Sequence, residues 1–389
     1  MRRTPLEIFV WSRAATWLLA VAALLALVPE RDSDAVARAD PNVIDELGYA
    51  TDVWARWDSY WFLRIAENGY DDTASTAFYP LYPALVGVLG RVFADHYVVA
   101  GIVVSLAACA AAFGLLYRLA LERFPEDVAA RSVAFLAVFP TAFFLQAVYS
   151  EALFLALALG AFLYAERGRF GPAAALTALA ILTRPTGLAL VPALLFLAWR
   201  SPARGRALVY VAATPGVLGL YALLLWQQFG KPLAFLHTEG QWYREMSALG
   251  PLGGLWDGAR AAWAGALQLT VGSAENWYWV EEGADQVALT NLENFGALVL
   301  LAGLGYVAWT RIGPAYGLYC AASAVLALSV PTQTYPLLSL PRFAVVVFPV
   351  FIALALVACS RRAEWAVVGF SSLLLALHVV QWTLWRWVA

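Results

Sequence analysis

Long apolar segments recur along this chain of 389 residues, and they constrain its fold more than any other feature. A straight crossing of a bilayer takes about 20 apolar residues, so the shorter segments are expected to bend or to meet at a polar site. The sequence therefore predicts an all-α polytopic membrane protein with about 11 transmembrane helices. The predicted spans are residues 6–28, 98–117, 128–146, 152–165, 172–182, 186–199, 207–226, 295–310, 315–330, 343–358 and 365–385.

The composition excludes several classes of protein. Hydrophobic residues make up 62% of the chain and charged residues only 13%, whereas soluble domains carry about 25% charged residues. A net charge of −2 gives no basic field for nucleic acid. The three cysteines lie in apolar runs without paired spacing, and only three histidines are present. We therefore expect no metal site and no cofactor. A divalent cation is left open as an alternative, but the sequence shows no cluster of ligands that would support one.

Charge distribution predicts the topology. Residues 29–78 and 229–290 lack the character of spans and together hold 18 of the 27 acidic but only 7 of the 25 basic residues. The short connections are arginine-rich instead, which marks cytoplasmic ends. We expect one membrane domain over residues 1–389, with 29–78 as a first outer loop carrying interfacial helices and 229–290 as a second. Residues 79–93 are too short for a full crossing and are treated as a half-buried or interfacial helix.

Alternating crossings place three further turns on the outer side, at residues 140–151, 182–187 and 331–342. The motif-bearing polar segments thus gather on one face of an integral cell-membrane protein. We expect its active site to face away from the cytoplasm.

The densest polar cluster follows the first outer loop, with the sequence WDSYW at residues 57–61. Trp57, Trp61 and Arg64 recur at helical spacing, as in a short helix lying on the membrane surface. Asp58 stands between bulky aromatic residues, and a partly desolvated carboxylate is suited to general base catalysis. Two alternatives remain open: Asp58 caps the following helix, and the tryptophans form an interfacial belt instead of stacking on a sugar.

Two arginines and a glutamate occupy the predicted outer turns. A carboxylate such as Glu151 at membrane depth costs about 2.5–3.5 kcal/mol on insertion scales, so it needs a partner, and Arg184 in the next outer turn is the candidate. Arg342 either binds a phosphate or snorkels to the interface. The remaining candidates for substrate contact are Tyr79, Tyr82, Tyr149 and, more weakly, His237.

Six motifs in order give the chain a family resemblance. They are WDSYW (57–61), FYPLYP (78–83), YSE (149–151), TRPTG (183–187), FGKPLAF (229–235) and SLPRF (339–343). Together they resemble the PIG-V family, the GPI mannosyltransferase II group with its prokaryotic relatives. The resemblance implies a GT-C type glycosyltransferase with an essential acidic residue in its first outer loop, a role that falls on Asp58. One departure is Phe343, where the family motif commonly has a tyrosine.

The resemblance also implies the chemistry. The donor would be a polyprenyl-phosphate mannose, and transfer to an acceptor hydroxyl would invert the anomeric centre. The acceptor would be a glycan, a glycolipid or a protein. The alternatives are a transporter or flippase of a lipid-linked or sugar substrate, or a GT-C transferase for another lipid-linked sugar. A transporter fits less well because the acidic residues are nearly confined to outer loops or span ends, and no internal repeat is visible.

Overall fold

The computed structural model of the protein describes residues 4–27, 46–238, 240, 246–272 and 284–388, and helices dominate these ranges. The α-helices of the described residues are α1 (Pro5–Ala26), α2 (Tyr49–Asp52), α3 (Ser59–Asn68), α4 (Leu81–Val92), α5 (Tyr97–Leu121), α6 (Glu126–Ala137), α7 (Glu151–Glu166), α8 (Phe170–Thr183), α9 (Leu190–Trp199), α10 (Arg204–Ala212), α11 (Val217–Phe229), α12 (Ala234–His237), α13 (Pro251–Val271), α14 (Ala284–Val307), α15 (Pro314–Ser329), α16 (Leu340–Ala344), α17 (Pro349–Val357) and α18 (Arg361–Thr383).

Short helical turns join some of these helices. Turns of 3₁₀-helix occupy Ala74–Ala77, Ala142–Leu145, Pro185–Ala189 and Thr214–Gly216, and a π-helical turn at Ala308–Ile312 extends α14. Because of these joints, several apolar segments of the sequence consist of two helical pieces.

Five helical segments of the described residues are long and apolar enough to cross a membrane: Pro5–Ala26, Tyr97–Leu121, Arg204–Phe229, Asp285–Ile312 and Arg361–Thr383. Shorter apolar helices occupy Leu81–Val92, Phe170–Thr183, Pro185–Trp199 and Pro314–Ser329. The predicted all-helical membrane architecture is confirmed, but the count of eleven spans is not. Within residues 79–93, α4 has 12 residues, which is shorter than a full crossing.

Two predicted spans, unlike the continuous helices that the sequence predicts, each contain four consecutive residues outside any helix. The segment 128–146 is helical only to Ala137 before it resumes as a 3₁₀ turn, and the segment 343–358 divides between α16 and α17. The first segment contains Pro140 and the second contains Pro349. A proline has no backbone N–H to donate within a helix, and its ring clashes with the preceding turn.

Arg13 of α1 satisfies carbonyl groups at the first of these breaks. Its guanidinium donates to the carbonyl oxygens of Ala137 (2.8 Å) and Ala142 (2.6 Å), and its side chain is buried. A cation at the end of a helix also interacts favourably with the helix dipole. The break in α6 is therefore a stabilised feature of the fold.

The predicted second outer loop, residues 229–290, contains more helix than its composition suggested. Its described part includes the 21-residue α13, which packs against α14 and α15, and α14 itself begins at Ala284. Glycine permits this packing: a Cβ on Gly265 of α13 would lie 2.8 Å from the carbonyl oxygen of Ala288. The close approach of two backbones through small residues is typical of membrane helices.

Three of the arginine-rich connections contact one another. Arg123 binds Glu166 (2.6 Å) and donates to the carbonyl of Ile312 (3.2 Å), while Arg167 binds Glu122 (2.5 Å). Residues from all three predicted outer turns line one cavity.

Candidate active site

Four charged side chains from distant parts of the chain form one network. Nη1 of Arg342 forms an ion pair with Oδ2 of Asp58 at 2.7 Å, and Nε of Arg342 donates a hydrogen bond to Oε1 of Glu151 at 2.6 Å. The same Oε1 forms an ion pair with Nη1 of Arg184. The predicted pairing of Glu151 with Arg184 is therefore confirmed, and Arg342 joins that pair to Asp58.

The members of the network differ in their access to solvent. The side chain of Glu151 is 0% exposed, that of Arg184 8%, that of Arg342 12% and that of Asp58 20%. Glu151 is thus the buried counter-ion of two arginines, whereas Asp58 stands at the open edge. With two carboxylates and two guanidiniums the network is neutral as a whole.

Arg342 lies outside the five candidate spans. Burial alone would disfavour its charge, but the carboxylates of Glu151 and Asp58 outweigh that effect and raise the pKa of Arg342 above its ordinary value. Aromatic rings also surround it: Cζ lies 5.0 Å from the ring centre of Tyr149 and 5.9 Å from that of Phe343. The Phe343 ring lies 5.6 Å from Cζ of Arg184 as well, so it contacts both guanidiniums.

The position of Asp58 argues against the capping alternative. Asp58 is the residue before α3, but within the described residues its side chain makes no capping hydrogen bond to that helix. Its backbone N–H instead donates to the hydroxyl of Tyr149 (3.2 Å), and that hydroxyl donates to the carbonyl of Arg56 (3.1 Å). Tyr149 thus holds the backbone on which the carboxylate is presented.

The residue before Asp58, Trp57, has a left-handed backbone conformation. Trp57 has a φ of 50°, a conformation that costs a bulky residue about 1–3 kcal/mol and that often occurs at functional sites. Its ring packs against three tryptophans from the end of the chain, with ring centres 4.7–5.8 Å apart: Trp382, Trp385 and Trp387. The C-terminal end of the chain therefore helps to keep the strained turn in place.

The carboxylate and both guanidiniums face a cavity of about 330 Å³, at the lower end of the range of about 300–1,000 Å³ for small-molecule sites. The polar residues of its lining are Asp58, Ser150, Thr183, Arg184, Thr186, Ser339 and Arg342. Its apolar residues include Leu188, Leu326, Ala327, Val330 and Leu338. A molecule that carries both an anionic group and a hydrocarbon chain matches this mixed lining.

Of the eleven residues proposed from the sequence, the cavity wall includes four: Asp58, Tyr79, Arg184 and Arg342. Three more candidates are buried and are not part of the lining: Glu151, Tyr82 and Tyr149. The Tyr82 hydroxyl, for example, lies 2.9 Å from Oγ of Ser105 and 3.1 Å from the carbonyl oxygen of Gly101.

The other four candidates are outside the cavity lining. Trp57 lies in the tryptophan cluster, and Trp61 stacks on Phe78, with ring centres 5.8 Å apart. Arg64, which lies on α3 like Trp61, forms an ion pair with Asp71 at 3.0 Å. His237 is exposed and lines a separate surface depression with Lys231.

Sequence reasoning missed several lining residues, above all Trp387. This residue lies beyond the last motif, and nothing in its local sequence distinguishes it from an interfacial tryptophan. Thr183 and Thr186 lie inside the TRPTG motif but were not singled out. Metal-ligating side chains do not gather here: among the described residues there is no group of three or more His, Cys, Asp or Glu placed to hold a metal ion.

Known proteins similar to this chain include both a curated relative and solved structures. The chain is 33% identical over 140 residues to GPI mannosyltransferase 2 of Schizosaccharomyces pombe. The aligned region covers 35% of this chain and 30% of that protein. Crystal structures of the Archaeoglobus fulgidus oligosaccharyltransferase also match. The apo form shows 14% identity and a TM-score of 0.43, over 97% of this chain and 55% of that one. The complex with Zn and sulfate shows 16% identity and a TM-score of 0.40, over 96% and 52%.

The chain thus spans about half the length of that oligosaccharyltransferase, and the matched region is less than a third of the yeast protein. The family described as Mannosyltransferase (PIG-V) matches residues 3–201. That region contains Asp58, Glu151 and Arg184, three of the four members of the charged network. This chain belongs to the PIG-V mannosyltransferase family.

Proposed function

We propose that this membrane protein transfers a mannosyl residue from a polyprenyl-phosphate mannose to an acceptor hydroxyl on the outer face of the membrane. The observation that carries the proposal is the placement of Asp58 and Arg342 in the lining of one cavity that also includes several apolar side chains. The choice of mannose as the transferred sugar rests on family membership. The cavity supports the donor class, because a lipid phosphate carries a hydrocarbon chain and an anion in one molecule.

The proposed reaction is a single displacement. Asp58 takes the proton from the acceptor hydroxyl, whose oxygen attacks the anomeric carbon of mannose. The bond between that carbon and the phosphate oxygen breaks, the anomeric centre inverts, and the polyprenyl phosphate leaves. Arg342 and Arg184 stabilise the charge that develops on the leaving phosphate, since a guanidinium matches phosphate oxygens and stays protonated.

The buried members of the network support these roles indirectly. Glu151 keeps the two guanidiniums side by side, and Tyr149 holds the backbone at Asp58. Tyr79 lines the cavity next to Phe78 and is a further candidate for contact with the substrate. We propose Trp61 and Arg64 as contacts for the acceptor, because they lie on α3, which begins directly after Asp58.

The outer location is supported by charge. The predicted outer turns contribute Ser150, Arg184 and Arg342 to the cavity lining, while three of the arginine-rich connections contact one another instead. Because basic connections favour the cytoplasm, the cavity is proposed to open on the opposite side. The acceptor would then be a glycan, a glycolipid or a protein exposed on that side.

The donor class is tested with the purified protein in lipid vesicles, using a heat-treated membrane extract as the source of acceptors. Mannose carrying a radioactive label is supplied either on a polyprenyl phosphate or on a nucleotide. We expect label to enter acceptor molecules only from the lipid-linked donor. Transfer from the nucleotide alone would contradict the proposal, and vesicles without protein provide the control.

A further inference from the structure

The contact between Asp58 and Arg342 is incompatible with the proposed displacement. In such a reaction the attacking and leaving oxygens lie on opposite sides of the anomeric carbon, so the sugar stands between the base and the group that binds phosphate. The 2.7 Å ion pair leaves no room for a sugar between these two side chains. The arrangement seen here is therefore a resting state, and the pair has to open when the donor binds.

The two carboxylates that bind Arg342 are not equally easy to displace. Glu151 is completely buried and also binds Arg184, so a ligand in the cavity has no direct access to it. Asp58 is the most exposed member of the network and lines the cavity. An incoming anion that competes for Arg342 would replace Asp58 and leave Glu151 in place.

The charges favour this exchange. At rest, two carboxylates neutralise two guanidiniums. Without Asp58 the remaining Glu151, Arg184 and Arg342 carry one net positive charge. A sugar linked through a phosphodiester to a lipid carries one negative charge, so the exchange replaces one anion with another.

We propose that the donor's phosphate displaces Asp58 from Arg342 and that this exchange releases Asp58 to act as the base. Binding of the donor thus activates the carboxylate, and the empty site holds it in an inactive pair. This inference rests on the proposed function, since it takes Arg342 as the phosphate ligand and Asp58 as the base.

The test measures the affinity of the purified protein for farnesyl phosphate, a short lipid phosphate that carries no sugar. In the wild-type protein this ligand has to compete with Asp58, whereas in Asp58→Asn the competing charge is gone. We expect Asp58→Asn to bind farnesyl phosphate about tenfold more tightly, a factor that corresponds to about 1.4 kcal/mol. Sugar transfer by the same variant is expected to be lost.

Asp71→Asn is the matched control. Asp71 pairs with Arg64 at 3.0 Å, lies outside the cavity lining, and loses the same charge on substitution. Its affinity for farnesyl phosphate is expected to equal that of the wild-type protein. Size-exclusion profiles and thermal unfolding confirm that each variant is folded, and Asp58→Ser provides a second neutral side chain if the amide is not tolerated.

The outcomes separate the exchange from the proposed function. If the wild-type protein binds farnesyl phosphate and the neutral Asp58 variants bind it no better, the exchange is wrong while the donor assignment stands. If none of the folded proteins binds this ligand, both the exchange and the lipid-phosphate donor are wrong. An equal gain in Asp71→Asn would attribute the effect to overall charge and also overturn the exchange.

Discussion

Glu151 is the residue on which the geometry of the site depends most. Its fully buried carboxylate binds two arginines from different parts of the chain. Burying one charge without a partner is far more costly than burying a matched pair. Loss of the carboxylate would leave both guanidiniums competing for Asp58 alone.

We expect Glu151→Gln to lower the free energy of unfolding by about 3 kcal/mol, the scale on which removing one partner of a buried ion pair destabilises a protein. Glu122→Gln is the matched control, because Glu122 pairs with Arg167 on the surface, where both side chains are at least 36% exposed. An exposed pair contributes about 0–1 kcal/mol. Thermal unfolding in detergent compares the two variants, and equal losses would contradict the role assigned to Glu151.

The charged residues of the site were identifiable from the sequence, but their arrangement was not. Asp58, Glu151, Arg184 and Arg342 stand out because they are charged residues beside apolar segments and belong to motifs. The contact of Arg342 with two carboxylates joins residues that are 284 and 191 positions away, and no local pattern encodes such a contact. The lining role of Trp387 was hidden for the same reason.

At the scale of elements, the placement of α3 depends on its contact with α4. A Cβ on Gly87 of α4 would lie only 2.6 Å from the carbonyl oxygen of Ala66 in α3. A backbone atom cannot move aside as a flexible side chain can, so the two helices would have to separate. Because α3 begins directly after Asp58, such a shift would move the carboxylate away from its place in the cavity lining.

We therefore expect Gly87→Ala to reduce sugar transfer at least about tenfold, since small displacements of a catalytic group have large effects on rate. Its thermal stability should fall as well. Gly114→Ala is the matched control on α5, where an added Cβ meets no atom within 4 Å. Unchanged transfer by Gly87→Ala would show that the contact between α3 and α4 does not position Asp58.

The helix breaks show what sequence reasoning can and cannot supply. Pro140 and Pro349 are visible signals that the segments 128–146 and 343–358 are not continuous helices. What the sequence does not show is how the freed carbonyls are satisfied. Arg13 supplies donors for two of them, and Thr141 donates to the carbonyl of Pro341 at 2.8 Å, which joins the two broken regions near the site.

On the scale of the whole molecule, the class of fold was predicted by composition together with the repeated apolar segments. The low charge content and the repeated apolar segments predicted a helical membrane protein, and the structure confirms five segments suited to cross a bilayer. The number of crossings was harder to predict because several helices are too short or too interrupted to be counted by length. The side of the membrane on which the cavity opens stays a prediction from charge.

In the proposed reaction, the Asp58 carboxylate removes the proton of the acceptor hydroxyl during mannosyl transfer. This role is tested by comparing wild-type protein with Asp58→Asn in vesicles, at equal amounts of inserted protein, using labelled polyprenyl-phosphate mannose. A general base contributes about 10²–10⁴-fold to a rate, so the amide variant should lose at least about 100-fold while remaining folded. Transfer by Asp58→Asn at the rate of the wild-type protein would contradict the role of Asp58 as the base.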